Sequence, residues 1–134
     1  MGELSARAAA EEWYGAFLAA DRGALAKVVA SSASWVIPLD TVLSGSHHGP
    51  NGMASLREQI AELTDGTWQP LRDDSVDIAA SVSHAVIMDR YVDERSGRRL
   101  DSHEAVILAV ECGYIARVFH YLHDPVSYAE FWAR

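Results

Sequence analysis

Residues 84–123, HAVIMDRYVDERSGRRLDSHEAVILAVECGYIARVFHYLH, decide the fold. Apolar residues recur at period two through this stretch, which predicts strands over 84–94, 99–111 and 114–123. Ser96-Gly97 and Glu111-Cys112-Gly113 supply tight hairpin turns between them. A fourth strand is expected at about 68–79. Alternation puts Ala85, Ile87, Asp89 and Tyr91 on one face of the first of the three, and Val118, His120 and Leu122 on one face of the last. The opposite faces carry Val86, Met88 and Arg90, and Arg117, Phe119 and Tyr121. Both faces are apolar enough that hydropathy does not choose the concave one, and the outer face is expected to need a cover, most simply a second subunit.

Upstream of the strands the period is that of helices. Ala10, Trp13, Tyr14, Phe17 and Leu18 form one apolar stripe. Asp21 is placed to cap a short second helix with Leu25, Val28 and Val29, broken at Ser31-Ser32. Ser34–Ile37 reads as a short strand stopped by Pro38, and residues 44–50 as a polar loop. Asn51 is expected to cap a third helix with Met53, Leu56, Ile60 and Leu63, ended by Thr64-Asp65-Gly66. Asp124-Pro125 opens a last helix carrying Tyr128, Phe131 and Trp132. Helices followed by a meander of long strands predict an α+β domain spanning 1–134, a curved antiparallel sheet wrapped around the helices with a pocket at its open end.

Composition narrows the partners. Of 134 residues 49% are hydrophobic and 22% charged, as in ordinary globular chains, and the net charge is −8. Neutralising phosphates takes a basic surface, so neither nucleic acid nor an anionic membrane is an expected partner. Arg95, Arg98 and Arg99 form the densest basic cluster and read as a hairpin tip. The one cysteine, Cys112, and an N-terminus without a basic start and apolar core predict a cytoplasmic protein. None of the six histidines pairs at metal-ligand spacing on one element with a carboxylate in step, so no metal is expected. There is no phosphate loop or dinucleotide fingerprint, and no cofactor is expected.

Ionisable side chains inside apolar strands carry the functional signal, because burying a charge without a partner is costly. Asp89 interrupts Ala85–Met88, Glu104 precedes Ala105–Val110, and His120 lies within Val118–Leu122. An aspartate and a histidine on one concave face can pair, and the carboxylate then raises the basicity of the imidazole. Glu104 in apolar surroundings is a candidate proton donor, or the partner of an arginine such as Arg90 or Arg117. Tyr14 is a candidate donor to a developing oxyanion.

Tyr14 in the first helix, Trp35-Val36-Ile37-Pro38, the loop Gly45-Ser46-His47-His48-Gly49, and Glu111-Cys112-Gly113-Tyr114-Ile115 leading to Tyr121 and Asp124 resemble the nuclear-transport-factor-2-like (NTF2-like) superfamily, in particular its SnoaL-like enzymes. The resemblance spans nearly the whole chain. It implies a cone-shaped α+β fold with a deep pocket, commonly in a homodimer, and a membership that includes polyketide cyclases, ketosteroid isomerase, limonene-epoxide hydrolase, scytalone dehydratase and non-enzymatic binders. Asp89 falls where the epoxide hydrolases carry a catalytic aspartate, but Ile87 stands where they carry an arginine. His120 falls where epoxide hydrolases and cyclases carry a catalytic aspartate. Ser102 and Glu104 fall on pocket-facing positions. Tyr14 resembles the helix-1 tyrosine of the isomerase and cyclases, while Ile37 replaces the isomerase's general base.

Three readings follow. The first is a cofactor-independent enzyme cyclising, isomerising or dehydrating a hydrophobic, polyketide-like molecule, with His120 as acid or base, Asp89 orienting it, and Glu104 and Tyr14 donating to the substrate oxygen. Trp35, Ser102, Tyr91, Val118, Leu122 and Phe17 are expected to line its pocket. The second is epoxide opening by water activated at Asp89. The third is a non-catalytic small-molecule binder or scaffold.

Overall fold

The computed structural model describes residues 5–70 and 76–134. Two helices, α1 (Ala6–Leu18) and α2 (Arg22–Val28), lead into strand β1 (Val29–Ile37). Strand β2 (Gly45–His48) and helix α3 (Gly49–Leu63) follow. Strands β3 (Asp77–Ala80), β4 (His84–Arg95), β5 (Arg98–Glu111) and β6 (Tyr114–Leu122) then precede helix α4 (Pro125–Phe131). The strands form one curved sheet in the order β2-β1-β6-β5-β4-β3. Helix α1 packs across β3 to β6 and α3 against β1 and β2. The buried side chains between them, including Trp13, Leu25, Met53, Leu56, Ile87, Leu108 and Ile115, make one core.

The capping expectations hold at two helices. Asp21 accepts from the Ala24 N–H at 3.1 Å and Asp124 from the Ser127 N–H at 3.0 Å. The hairpin turns also fall as expected: Ser96 and Gly97 have φ of 51° and 76°, Cys112 and Gly113 of 52° and 78°. Two successive left-handed residues match the twist of the flanking strands.

Several local expectations are corrected. The sheet is mixed, because β1 runs parallel to β6. No hairpin joins those two strands, so no turn sets their relative direction. Val29 begins β1 rather than ending the second helix, and β1 continues through Ser31-Ser32. Within the expected loop 44–50, Gly45–His48 pairs with Ser34–Ile37 as an edge strand. Helix α3 starts at Gly49 with His48 rather than Asn51 as its cap, and Pro50 takes a first-turn position where its missing N–H costs nothing. Gly49 has a φ of +65°, and a Cβ there would lie 3.0 Å from the Ser31 carbonyl oxygen, so glycine lets the chain turn from β2 into α3. Of the strand expected at 68–79, the structure has β3 and a single bridge from Pro70 to Tyr91, while 71–75 lie outside the described residues.

One irregularity positions the site. From the β5–β6 turn, Glu111 faces Tyr114 and Val110 faces Ile115, but Ala109 faces Arg117. Ala116 is the extra residue of a bulge, and it shifts every later pairing by one. Val106 therefore faces His120 and Glu104 faces Leu122. Ala109, opposite Arg117 at the bulge, is only 3% exposed. Among the described residues no helix is long and apolar enough to cross a membrane.

Candidate active site

Three adjacent strands bring the ionisable groups together. Asp89 on β4 sits directly opposite Glu104 on β5, so their side chains leave the sheet on the same face. His120 on β6 is the diagonal neighbour of Glu104, one pleat along from the directly facing Leu122. Imidazole Nε2 lies 3.2 Å from Glu104 Oε2, with the two side chains 6% and 8% exposed. The two atoms lie within ion-pair distance for a protonated imidazole, without hydrogen-bond alignment. Ser102, two residues before Glu104 on the same face, donates to Glu104 Oε1 at 3.3 Å. Tyr14 reaches from α1 and donates to Asp89 Oδ2 at 3.0 Å.

The partners differ from those expected. His120 pairs with Glu104 rather than Asp89, and Tyr14 spends its proton on Asp89 rather than pointing it at open space. The arginines suggested for Glu104 are elsewhere: Arg90 forks onto Asp101 at 2.8 and 2.7 Å, and Arg117 lies over the Phe119 ring. His47 contacts the Leu43 carbonyl oxygen at 3.1 Å and is not part of this cluster.

Burial sets the electrostatics. Desolvation first, and the neighbouring Glu104 charge second, push the Asp89 carboxyl up to about 7, against the pull of the Tyr14 and Tyr91 hydroxyls and of His120. Asp89 is thus a carboxyl of raised pKa in this cluster. For His120 burial is the largest influence and opposes its proton, but the charge and contact of Glu104, with help from Asp89, outweigh it and raise the pKa. Burial also raises the Tyr14, Tyr91 and Tyr128 hydroxyls well above their ordinary range, so they act as neutral donors.

These groups face a narrow cavity of about 40 Å³. That exceeds the ~10–15 Å³ one water needs, and the walls are mainly aromatic. Of the pocket residues expected from sequence, Phe17, Trp35, Tyr91, Tyr14, Asp89, Glu104 and His120 line it. Ser102, Val118 and Leu122 do not: Ser102 lies behind Glu104, and Val118 is packed between Leu108 and Trp35 in the sheet register. Trp13, Trp68, Tyr128 and Trp132 are wall residues that sequence reading missed. Tyr128 and Trp132 were legible as the apolar stripe of α4, but where that helix docks is a tertiary fact. Trp68 stacks on Tyr91 at 4.5 Å and meets Trp132 edge-on at 5.2 Å.

The unpaired polar atoms have one address. Asp89 Oδ1, both His120 nitrogens and the indole nitrogens of Trp35 and Trp132 are buried without a hydrogen bond among the described residues. All four residues line this cavity. A buried polar group left unmatched costs on the order of 1–3 kcal/mol, and native proteins retain few of them outside functional sites.

No family model matches the sequence. Uncharacterized proteins of Mycobacterium tuberculosis and Mycobacterium bovis are 25% identical over 120 residues, covering 90% of each chain. A Xanthomonas campestris protein of unknown function with a cystatin-like fold superposes with a TM-score of 0.81 at 21% identity, over 98% of this chain and 100% of its own. An NTF2-like protein of Burkholderia xenovorans LB400 gives 0.79 at 17% identity, over 92% of each. A candidate polyketide cyclase of Pseudomonas putida KT2440 gives 0.67 at 17% identity, over 97% of this chain and 99% of its own. The chain therefore has the NTF2-like fold, shared with SnoaL-like proteins.

Proposed function

We propose that the cavity is the active site of an acid/base enzyme acting on a small hydrophobic molecule, in the cytoplasm, by moving a proton at a carbon next to a carbonyl. The supporting observation is that Asp89 Oδ1 and His120 Nδ1, both buried without a hydrogen bond and both on groups whose pKa is raised, belong to residues lining one aromatic cavity. Asp89 Oδ1 is the base, held in place by the Tyr14 hydrogen bond to its other oxygen. His120, charged and neutralised by Glu104, is the acid, and its Nδ1–H faces the oxygen on which negative charge develops. Asp89 removes the carbon-bound proton and the electron pair moves into the enolate, whose oxygen His120 stabilises or protonates. Returning the proton at another carbon is isomerisation, attack of the enolate on a second carbonyl is cyclisation, and loss of a β-hydroxyl with the proton of His120 is dehydration.

A pKa near the working pH is what such a base needs. Epoxide opening has less support, since the position two residues before Asp89 is the fully buried Ile87 and offers no cationic donor. The test is wash-in of solvent deuterium next to the carbonyl across a panel of small cyclic ketones, followed by NMR. Wild type is expected to accelerate exchange, Asp89→Asn to lower it about a hundredfold or more, and the pH profile to be bell-shaped. Exchange that is absent in wild type across the panel, or unchanged in Asp89→Asn, overturns the assignment.

A further inference from the structure

Acid/base groups explain Asp89 and His120 but leave two other unmatched atoms in the same wall. The indole N–H groups of Trp35 and Trp132 are buried and donate to nothing among the described residues, and both residues belong to the cavity lining. The contrast with Trp13 is informative: its Nε1 is also buried but lies 3.4 Å from Met53 Sδ. Packing alone gives no reason to bury an indole N–H without an acceptor in a cavity wall, since phenylalanine fills apolar space without a polar atom. The two rings come from distant elements. Trp35 is on β1, edge-on to the His120 ring at 5.9 Å. Trp132 follows α4 and touches Trp68, Tyr128 and Phe131. Each is fixed on several sides, so neither N–H can turn away to find water outside.

Charge restricts what these donors can receive. The cavity holds two carboxyl groups and one imidazole, with Glu104 compensating His120 and Asp89 near its midpoint at neutral pH. An anion entering it meets a site that is neutral to negative. Resting on the acid/base reading above, we propose that Trp35 and Trp132 are ligand-binding donors that select a neutral, flat molecule carrying at least two oxygen acceptors, one for each indole. Selection by unmatched donors is strong against a ligand lacking the oxygen, because the buried N–H is then left unpaired.

The test compares two six-membered-ring probes of similar length, 1,4-cyclohexanedione, with an oxygen acceptor at each end, and p-xylene, with a methyl group at each end and no acceptor. With wild type labelled at the indole nitrogens, the Trp35 and Trp132 N–H resonances are expected to move on adding the dione and to stay in place, or move much less, with p-xylene. Trp35→Phe and Trp132→Phe are each expected to weaken dione binding about five- to tenfold, with p-xylene affected less than about twofold. Equal losses for both probes make the rings packing residues only and overturn the proposal. Unmoved indole resonances at saturating dione do the same, in wild type and without need of a folded variant. Deuterium exchange unchanged in Asp89→Asn, with the wild-type indole shifts on dione addition intact, would remove the acid/base reading and leave the donors standing; exchange lost in Asp89→Asn, with the wild-type indole resonances unmoved, would remove the donors alone.

Discussion

Asp89 is the residue whose environment most changes its chemistry. Folded, it keeps its proton up to about pH 7; unfolded, only to ~3.9. Between those values the folded chain binds more protons than the unfolded one, so stability falls as pH rises, and above ~7 the whole cost is present. Asp89→Asn removes that cost. Its stability relative to wild type is expected to improve from pH 4 to pH 8 by as much as about 4 kcal/mol, measured by urea denaturation at both pH values. A difference that stays constant with pH defeats the prediction. His120 acts in the same direction: with a raised folded pKa, its stabilising proton is fully present below ~6.5 and is lost as pH rises through the folded value.

At the scale of elements, α4 closes the cavity and β4 holds it there. Arg95 Nη1, from the end of β4, donates to the carbonyl oxygens of Phe131 at 2.8 Å and Ala133 at 3.2 Å, and its guanidinium lies 5.7 Å over the Trp132 ring. The Val42 N–H adds a bond to the Trp132 carbonyl oxygen at 3.0 Å. Arg95→Met keeps the apolar stem and removes the rest. It is expected to cost about 1–3 kcal/mol and to lose amide protection first in residues 125–132, read by hydrogen exchange. Protection unchanged in α4 counts against the clamp. Sequence reading caught the elements with clear periods and capping residues, α1 and the β4–β5–β6 meander among them. Alternation also sorted Asp89 and Tyr91 onto one face of β4 and His120 onto one face of β6, while the choice of the cavity face rested on the family resemblance. Sequence reading did not catch the parallel β1–β6 pair, a nonlocal choice that no turn records. Nor did it catch the partner of His120. Counting evenly from the Cys112-Gly113 turn pairs His120 with Ala105, and only the extra residue Ala116 brings it into phase with Glu104. Nothing in the local sequence there distinguishes a bulged strand from a regular one.

The whole molecule presents an apolar stripe on the outer face of the sheet. Val36 lies beside Phe119, which faces Ile107; Tyr121 faces Ala105, which faces Met88. Val36 is 55% and Tyr121 61% exposed, which is costly for large apolar side chains on contiguous strands. The expected outcome is a homodimer through this face. Light scattering of wild type at micromolar concentration should give the mass of two chains, and the double substitution Phe119→Glu and Tyr121→Glu the mass of one. A monomeric wild type contradicts it.

The register across β4, β5 and β6 also separates two jobs along the chain. The ionisable groups of the cavity, Asp89, Glu104 and His120, all belong to one continuous meander, whereas many of the rings that shape the space come from α1, β1, α4 and the Trp68 segment. Engineering can treat these as separate modules. Rewriting a ring on an outlying element reshapes the space while leaving untouched the backbone register that aligns the ionisable groups, so the two can be varied one at a time.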